Sequence, residues 1–315
     1  MVSKKEFVLG QINNSLDMQE RFTDDFDKDL HEVVKELTHA RHDPAHCMSG
    51  LFQSIPKGER KKVPLDISYK FGRKTVQFIG YQRLGVDDMR IQQGIVALAG
   101  AAKPRKKIRL DGLARTTVGK KLAKDLKPKD DAVDMKALYV QTTSHELLRA
   151  VGYQSVGDKA YQRLKASLLR QGNMQMVVES GRKLWSTNLL SFFYDGDSAE
   201  LHIGLNPLVT QAVLGKTRYS HLDLMEIRLL KSDATRLIHQ RLSAFIDSGD
   251  SKNVSLDTLT SYVWSDKAKS ASTTRTRRAE TRKAMKELDS IGWLCSPNKR
   301  GIYQIMRPHI IYNED

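Results

Sequence analysis

Hydrophobic and polar positions follow strand and helix periods in turn through the middle of the chain. The pattern predicts a strand, two helices and three β-like runs, at 137–141, 145–151, 158–171, 174–179, 183–194 and 201–205. Thr143 or Ser144 can cap the first helix, and Gly152 and Gly172 end the two helices. This order of elements is typical of a winged helix-turn-helix, a module that places its second helix in the DNA major groove.

The same order recurs in the last third of the chain. Helices are predicted at 207–214, 222–230, 234–245, 255–264 and 273–290, and strands at 293–295 and 302–306. Similar residues occur 111 positions after Ser144, Leu148 and Tyr153. They also occur 120 positions after Leu168 and Gly172. The sequence therefore predicts an α+β fold of two tandem winged helix-turn-helix domains related by internal duplication. Chance agreement between two helical patterns is the alternative.

The chain before residue 137 is less regular. Apolar residues at 22, 26, 30, 33 and 37 predict an amphipathic helix within an acidic arm at 1–40. A hairpin is predicted at 67–79, a helix from Asp87 or Asp88 to Gly100, and a basic loop at 101–131. We expect the arm to be followed by two winged-helix domains, at 41–206 and 207–315, the second being the main DNA-reading domain.

The distribution of charge along the chain points to a function as well as a fold. The 315 residues include 52 Lys and Arg against 37 Asp and Glu, a formal net charge of +15. Residues 103–131 hold eleven basic and four acidic side chains, and residues 267–286 hold eight basic and one acidic. Two segments of net +7 each are typical of a protein that binds a polyanion, although such a run can also be a solvated surface.

The basic helix of the second module supplies the first candidate contacts. If Ala284, Met285 and Leu288 pack on the core, most cations of this helix project away from it. Arginine reads guanine in the major groove, and hydroxyls before a helix can hold a phosphate. The predicted DNA contacts here are Thr273, Thr274, Arg275, Arg277, Arg278, Arg282, Lys283 and Lys286.

Further contacts are predicted at the hairpin turns and in the first module. Both turns have basic tips, which suits a wing that lies along the DNA backbone. In the first module Tyr161, Leu164 and Leu168 are expected to be buried, and Arg170 to be available. The candidates for DNA contact are Lys299 and Arg300 in the second turn, Arg182 and Lys183 in the first, and Lys159 and Arg163 on the first module's helix.

Motifs of catalysis and metal binding are weak by comparison. His39, His42, His46 and Cys47 are close in sequence but lack the spacing of a zinc site, so capping and turn hydrogen bonds are expected there. The segment 112–121 has its glycines too far apart for a phosphate-binding loop and ends in Lys121 where Ser or Thr is required. No catalytic residue, metal or cofactor is predicted, so we do not expect an enzyme.

The predicted location follows from composition. Two cysteines, no secretory signal and no apolar run of membrane-spanning length predict a cytoplasmic protein.

Several long strings resemble the replication initiator protein C family of IncQ-type plasmids. They are RHDPAHC at 41–47, LNPL at 205–208, ATRLIHQRL at 234–242, LDTL at 256–259 and the Arg-rich helix behind them. The similarity runs from about Arg41 to Pro308. The segments 1–40 and 101–131 have no clear counterpart.

The resemblance implies an origin-binding protein without catalytic activity of its own. Such a protein recognises directly repeated iterons in double-stranded DNA, promotes melting of adjacent AT-rich DNA and helps load a plasmid-encoded helicase together with a primase, with a homodimer as one possible form. The alternatives are a winged-helix transcriptional repressor that binds operator DNA and, from another class, a relaxase-like enzyme.

Overall fold

Helices and mostly antiparallel strands share the chain in a computed structural model that describes residues 37–55, 63–101, 108–109, 117–195 and 199–309. This mixed composition agrees with the predicted α+β class. The predicted helix at 22–37 lies outside the described residues, apart from its last residue. From Thr38 onwards the chain forms one compact unit.

The helices alternate with the strands along the whole described chain. The described helices are α1 (Val86–Gly100), α2 (Thr117–Asp125), α3 (Ser144–Ala150), α4 (Asp158–Gly172), α5 (Pro207–Val213), α6 (Leu224–Leu229), α7 (Asp233–Ser243), α8 (Leu256–Val263) and α9 (Ala271–Asp289). Single 3-10 turns occur at Pro44–Cys47 and Asp130–Asp134.

The described strands pair over long distances in the sequence. They are β1 (His39–His42), β2 (Phe52–Gln53), β3 (Leu65–Phe71), β4 (Lys74–Gly80), β5 (Leu84–Gly85), β6 (Ile108–Arg109), β7 (Tyr139–Thr143), β8 (Gln175–Ser180), β9 (Lys183–Asn188), β10 (Leu190–Asp195), β11 (Glu200–Leu205), β12 (Ser220–Asp223), β13 (Ser251–Ser255), β14 (Leu294–Pro297) and β15 (Ile302–Met306). The sheets have the orders β3-β4-β8-β9, β10-β11-β7-β6, β13-β15-β14, β1-β12 and β2-β5.

Side-chain caps fix where the helices of the C-terminal module begin. Ser232 accepts a hydrogen bond from Thr235 N at 3.1 Å, and Ser255 accepts one from Thr258 N at 3.1 Å, so these two hydroxyls cap α7 and α8. In α3 the cap is Thr143. The basic helix α9 is capped by Ser270 and so begins two residues earlier than predicted. This is a correction for 272–274, which lie inside the first turn and do not precede the helix.

A continuous hydrophobic core joins elements from both halves of the chain. It contains Phe78 of β4, Met89 of α1, Leu242 of α7 and Trp293, which follows α9. In α1 the side chain of Gln93 donates to Gln240 of α7 at 2.6 Å, so buried polar groups also link the halves. The position of α9, the basic helix, is therefore set by the whole core.

Four local predictions need correction. The segment 101–131 contains α2, because Leu122 and Leu126 supply an apolar side that packs against the second sheet. The run 183–194 is two strands, β9 and β10, separated by the buried Leu189. The predicted helix 222–230 begins only after strand β12. Tyr161 is 38% exposed, not buried.

The two predicted modules differ in how their strands pair. In the C-terminal module β13 pairs with β15, which pairs with β14, so the strand before α8 joins the hairpin after α9. In the first module β7 pairs with β11 and β6, while the β8–β9 hairpin joins β4. The internal duplication is not confirmed, and the division into domains at 206/207 stays a prediction.

Candidate nucleic-acid interface

Helix α9 has one side fixed in the core. Thr281, Ala284, Met285 and Leu288 are buried. Near its C-terminal end, Glu287 accepts hydrogen bonds from the backbone N–H groups of Lys231 and Ser232 and from Thr235 Oγ1, the last at 2.6 Å. Because these donors lie at the start of α7, the carboxylate ties the end of α9 to the beginning of that helix.

The opposite side of α9 carries cations that make no ion pair with a described residue. Arg275, Arg282, Lys283 and Lys286 are exposed, as the sequence predicted, and none of them pairs with an acidic group among the described residues. Each of these side chains keeps its hydration and its donors for an external acceptor. The same side would offer a phosphate or a guanine edge several charged donors at once.

The basic side of α9 and the β14–β15 hairpin form one cleft. This cleft measures about 540 Å³, and Arg282, Lys286 and Lys299 line it together with the ring of Tyr303. Asp289, the last residue of α9, also lines it as an acidic group. Three cations from two elements therefore face the same space.

Arg277 and Arg278 have acceptors within the module. Arg278 forms a two-point ion pair with Asp257 of α8, at 2.7 and 2.8 Å. Arg277 donates to the carbonyl of Asp266 at 2.6 Å and lies 5.5 Å from the ring of Trp264. These two arginines connect α9 to α8 and to the turn between the helices, so they position the helix as it stands.

Thr273 and Thr274 take part in the capped first turn of α9. Thr273 donates its backbone N–H to Ser270 Oγ at 3.1 Å, and Thr274 Oγ1 donates to the Ser270 carbonyl at 3.1 Å. Lys267 and Lys269 in the preceding turn are exposed. Both lysines count toward the net charge of 267–286, but neither is among the predicted DNA contacts.

The hairpin tip is shaped by its own side chains. Asn298 Oδ1 accepts from the backbone N–H groups of Arg300 and Ile302, at 2.9 and 3.0 Å. Gly301 adopts φ +73°, a left-handed conformation that favours glycine. Lys299 and Arg300 are both exposed at this tip.

The first module offers fewer unpaired cations. Lys159 and Arg163 are exposed on α4, and Arg182 is exposed at the β8–β9 turn. Lys183 pairs with Asp131 at 2.9 Å. The expectation that Arg170 is available is wrong, because Arg170 pairs at 2.7 Å with the buried Asp88 of α1.

A buried polar network supports the C-terminal module from behind. Glu226 Oε2 lies 2.6 Å from His239 Nε2 and accepts from Trp293 Nε1 at 3.1 Å. Burial raises the pKa of Glu226, but the bonds from His239 and Trp293 outweigh it, so this pKa lies below its usual range. The carboxylate thus stays ionised among neighbours that need it.

The histidine-rich segment 41–47 is structural in its local contacts. Asp43 accepts from Ala45 N at 2.9 Å and lies 3.3 Å from His46 Nδ1, while the ring of His42 lies 5.4 Å from that of His46. Among the residues described here, no group of three or more His, Cys, Asp or Glu side chains could hold a metal ion. Within the same residues, no helix has the length and apolar character needed to span a membrane.

Comparison with known folds adds a structural likeness. A crystal structure of domains 2 and 3 of RctB, as the selenomethionine derivative, matches with a TM-score of 0.52 at 10% identity, over 82% of this chain and 95% of that chain. A second structure of RctB domains 2–3 matches with a TM-score of 0.46 at 10% identity, over 81% and 95%. At this identity the likeness concerns the fold alone.

Comparison with known sequences supplies the family. Curated proteins give no significant match. The model of the family described as Replication protein C (RepC) matches residues 34–309, which is most of the chain. The chain belongs to the replication protein C family.

Proposed function

We propose that this protein is a plasmid replication initiator, of the IncQ type, that binds directly repeated iterons in the origin. The observation that carries this proposal is the cleft in which Arg282 and Lys286 of α9 face Lys299 of the hairpin. In a winged helix, such a pair of elements places the helix in the major groove and the hairpin on the flanking backbone. Membership of the replication protein C family supports the origin as the site.

Binding would act through deformation of the DNA, and the protein itself would catalyse no step. Two modules on one repeat would contact successive major grooves about one helical turn apart. Bending soft steps nearby favours unpairing of adjacent AT-rich DNA, to which a plasmid-encoded helicase and a primase would then be admitted. A homodimer would repeat the same contacts on a second repeat.

Footprinting on the DNA that flanks the encoding gene tests the proposal. We expect protection of directly repeated sites beside an AT-rich tract, and permanganate reactivity in that tract when the protein is bound. Protection of a single promoter operator without reactivity would favour the alternative, a transcriptional repressor. Metal-dependent strand cleavage would favour a nucleic-acid enzyme instead.

Variants of α9 locate the contact on the protein. Arg282→Ala should weaken repeat binding by about 1–3 kcal/mol if it reads a base. Lys231→Ala is the matched control, because Lys231 is exposed in the same half of the chain and lies outside the cleft. Equal affinity of the two variants would contradict the assignment of α9 as the reading helix.

A further inference from the structure

A second cleft lies around the segment 41–47, to which the DNA-binding proposal assigns no role. Its volume is about 540 Å³, and it forms where the 3-10 turn Pro44–Cys47, the β3–β4 turn, α7 and the segment before β12 meet. Apolar side chains make up part of its wall, namely Pro44, Met48, Phe71 and Phe245. A concave site of this size with an apolar wall and a few polar groups is the usual form of a small-molecule site.

Three cations line this cleft. They are Lys74 from β4, Arg218 from the segment before β12 and Arg241 from α7. None of the three side chains forms an ion pair with a described acidic group, and Arg218 is exposed at the rim. Charges from three separate elements therefore converge on one space.

Arg241 is oriented by two aromatic rings. Its guanidinium carbon lies 4.8 Å from the ring centroid of Phe245 and 5.6 Å from that of Tyr262. Its Nε is buried and has no acceptor among the described residues. A buried donor without an acceptor is costly, and an anion at the guanidinium would offset part of that cost through its charge.

The one carboxylate in the wall already has partners. Asp43 is 4% exposed, and its Oδ1 accepts from Ala45 N and lies 3.3 Å from His46 Nδ1. Asp43 is therefore directed into the 3-10 turn, and although Lys74 helps to lower its pKa, this one carboxylate stands against three cations. The net character of the open space is cationic.

We propose that this cleft binds a free nucleotide. The phosphates would lie against Lys74, Arg218 and Arg241, and the base would pack on Phe71 or Phe245. A bare phosphate would leave the apolar wall exposed to water, whereas an extended acidic peptide would need an open groove longer than this compact cleft. The ligand would contact elements from both halves of the chain. Its binding would therefore couple the nucleotide concentration to the core that positions α9.

The test measures binding of a fluorescent ATP, labelled on its ribose, to the full-length protein by anisotropy. The double variant Lys74→Ala with Arg218→Ala should weaken binding by about tenfold or more, since each lost contact to a charged group is costly. The matched control is Arg73→Ala with Lys216→Ala, which removes the same two charges at neighbouring positions outside the cleft wall. This control should change the affinity by less than about twofold. Equal melting temperatures without ligand would show that both variants are folded.

Competition then identifies the ligand. Displacement by unlabelled ATP, with no displacement by the same concentration of inorganic phosphate, supports a nucleotide site. Equal displacement by phosphate would overturn the nucleotide assignment, and so would stronger displacement by a single-stranded oligonucleotide with a 5′-phosphate. Absence of saturable binding, or equal weakening in both double variants, would overturn the site itself. None of these measurements involves duplex DNA, so they do not depend on the proposed origin binding.

Discussion

The attachment of α9 to α7 through Glu287 gives a quantitative prediction of stability. We expect Glu287→Gln to lower the free energy of unfolding by about 1–3 kcal/mol at pH 7, because hydrogen bonds to a charged acceptor contribute about 1.5–3 kcal/mol each and are not additive. The partial exposure of the side chain places the value toward the lower end. The amide would also present N–H groups to donors of α7.

The pH dependence of the same variant follows from the pKa of Glu287. Burial raises this pKa, but hydrogen bonds from Thr235, Lys231 and Ser232 outweigh it, so the net shift is downward. A lowered carboxyl pKa stabilises the folded state above the unfolded value of about 4.3. The stabilisation is lost as the pH falls through the folded value. The difference between parent and variant should therefore shrink below about pH 4.3.

Urea unfolding followed by circular dichroism measures both effects. Glu280→Gln is the control, because it makes the same substitution at an exposed position of the same helix. Its free energy of unfolding should stay within about 0.5 kcal/mol of the parent. Equal stabilities for the Glu287 and Glu280 variants at pH 7 would refute the inferred attachment. An unchanged difference at low pH would refute the role of the ionised carboxylate.

Three further substitutions test other parts of the molecule. Gly94→Ala places a methyl group 2.4 Å from Val151 Cγ1, so a loss of about 1–3 kcal/mol should appear as a lower melting temperature. Glu226→Gln should lower the free energy of unfolding by about 2–4 kcal/mol at pH 7, because it leaves the buried His239 without its carboxylate. A urea titration should show that this loss becomes smaller in acid. Arg278→Ala removes an exposed ion pair and should change stability by no more than about 1 kcal/mol in the same titration.

Local signals in the sequence were enough to predict the C-terminal helices. Ser232 and Ser255 precede their helices by one residue, as the preference of hydroxyls for the cap position requires. Helix α2 was missed because, apart from Leu126 just beyond its end, its main buried apolar residue is Leu122 among many lysines. Packing on a sheet formed by later residues stabilises that helix, and a short window of sequence does not contain those residues.

Strand pairing was beyond the reach of local patterns. The alternation in a strand tells which side is buried, but it does not select the partner strand. The hairpin β8–β9 could have joined β7, as the winged-helix order suggested, and instead extends β4. Likewise β1 pairs with β12 across most of the chain. These choices depend on the shape of the whole core.

The candidate site shows the same limit at the level of single side chains. Helical periodicity placed Arg282 and Lys286 correctly on the outer side of α9. It could not show that Arg278 pairs with Asp257, because the two residues lie on different helices. Arginines that look equivalent in sequence therefore divide into those with acceptors inside the module and those with none among the described residues.

This division bounds the electrostatics of DNA binding. The segment 267–286, which covers most of α9 and its preceding turn, holds eight basic residues. Arg277 and Arg278 have acceptors within the module, which leaves six, and the hairpin tip adds Lys299 and Arg300. If all eight touched phosphates, the log–log salt slope would be about −7.

A steeper measured slope would require phosphate contacts beyond α9, its preceding turn and the hairpin tip. Helix α2 is the strongest described candidate, because Lys120 and Lys124 are exposed on it, while Ser191 Oγ, at 2.8 Å from the Leu122 carbonyl, fixes the helix to β10. Replacing Lys120 and Lys124 by Ala should then lower the slope by about 2 and leave the preference for the repeat unchanged. A slope within the bound, unaffected by these replacements, would assign all phosphate contacts to α9 and its hairpin.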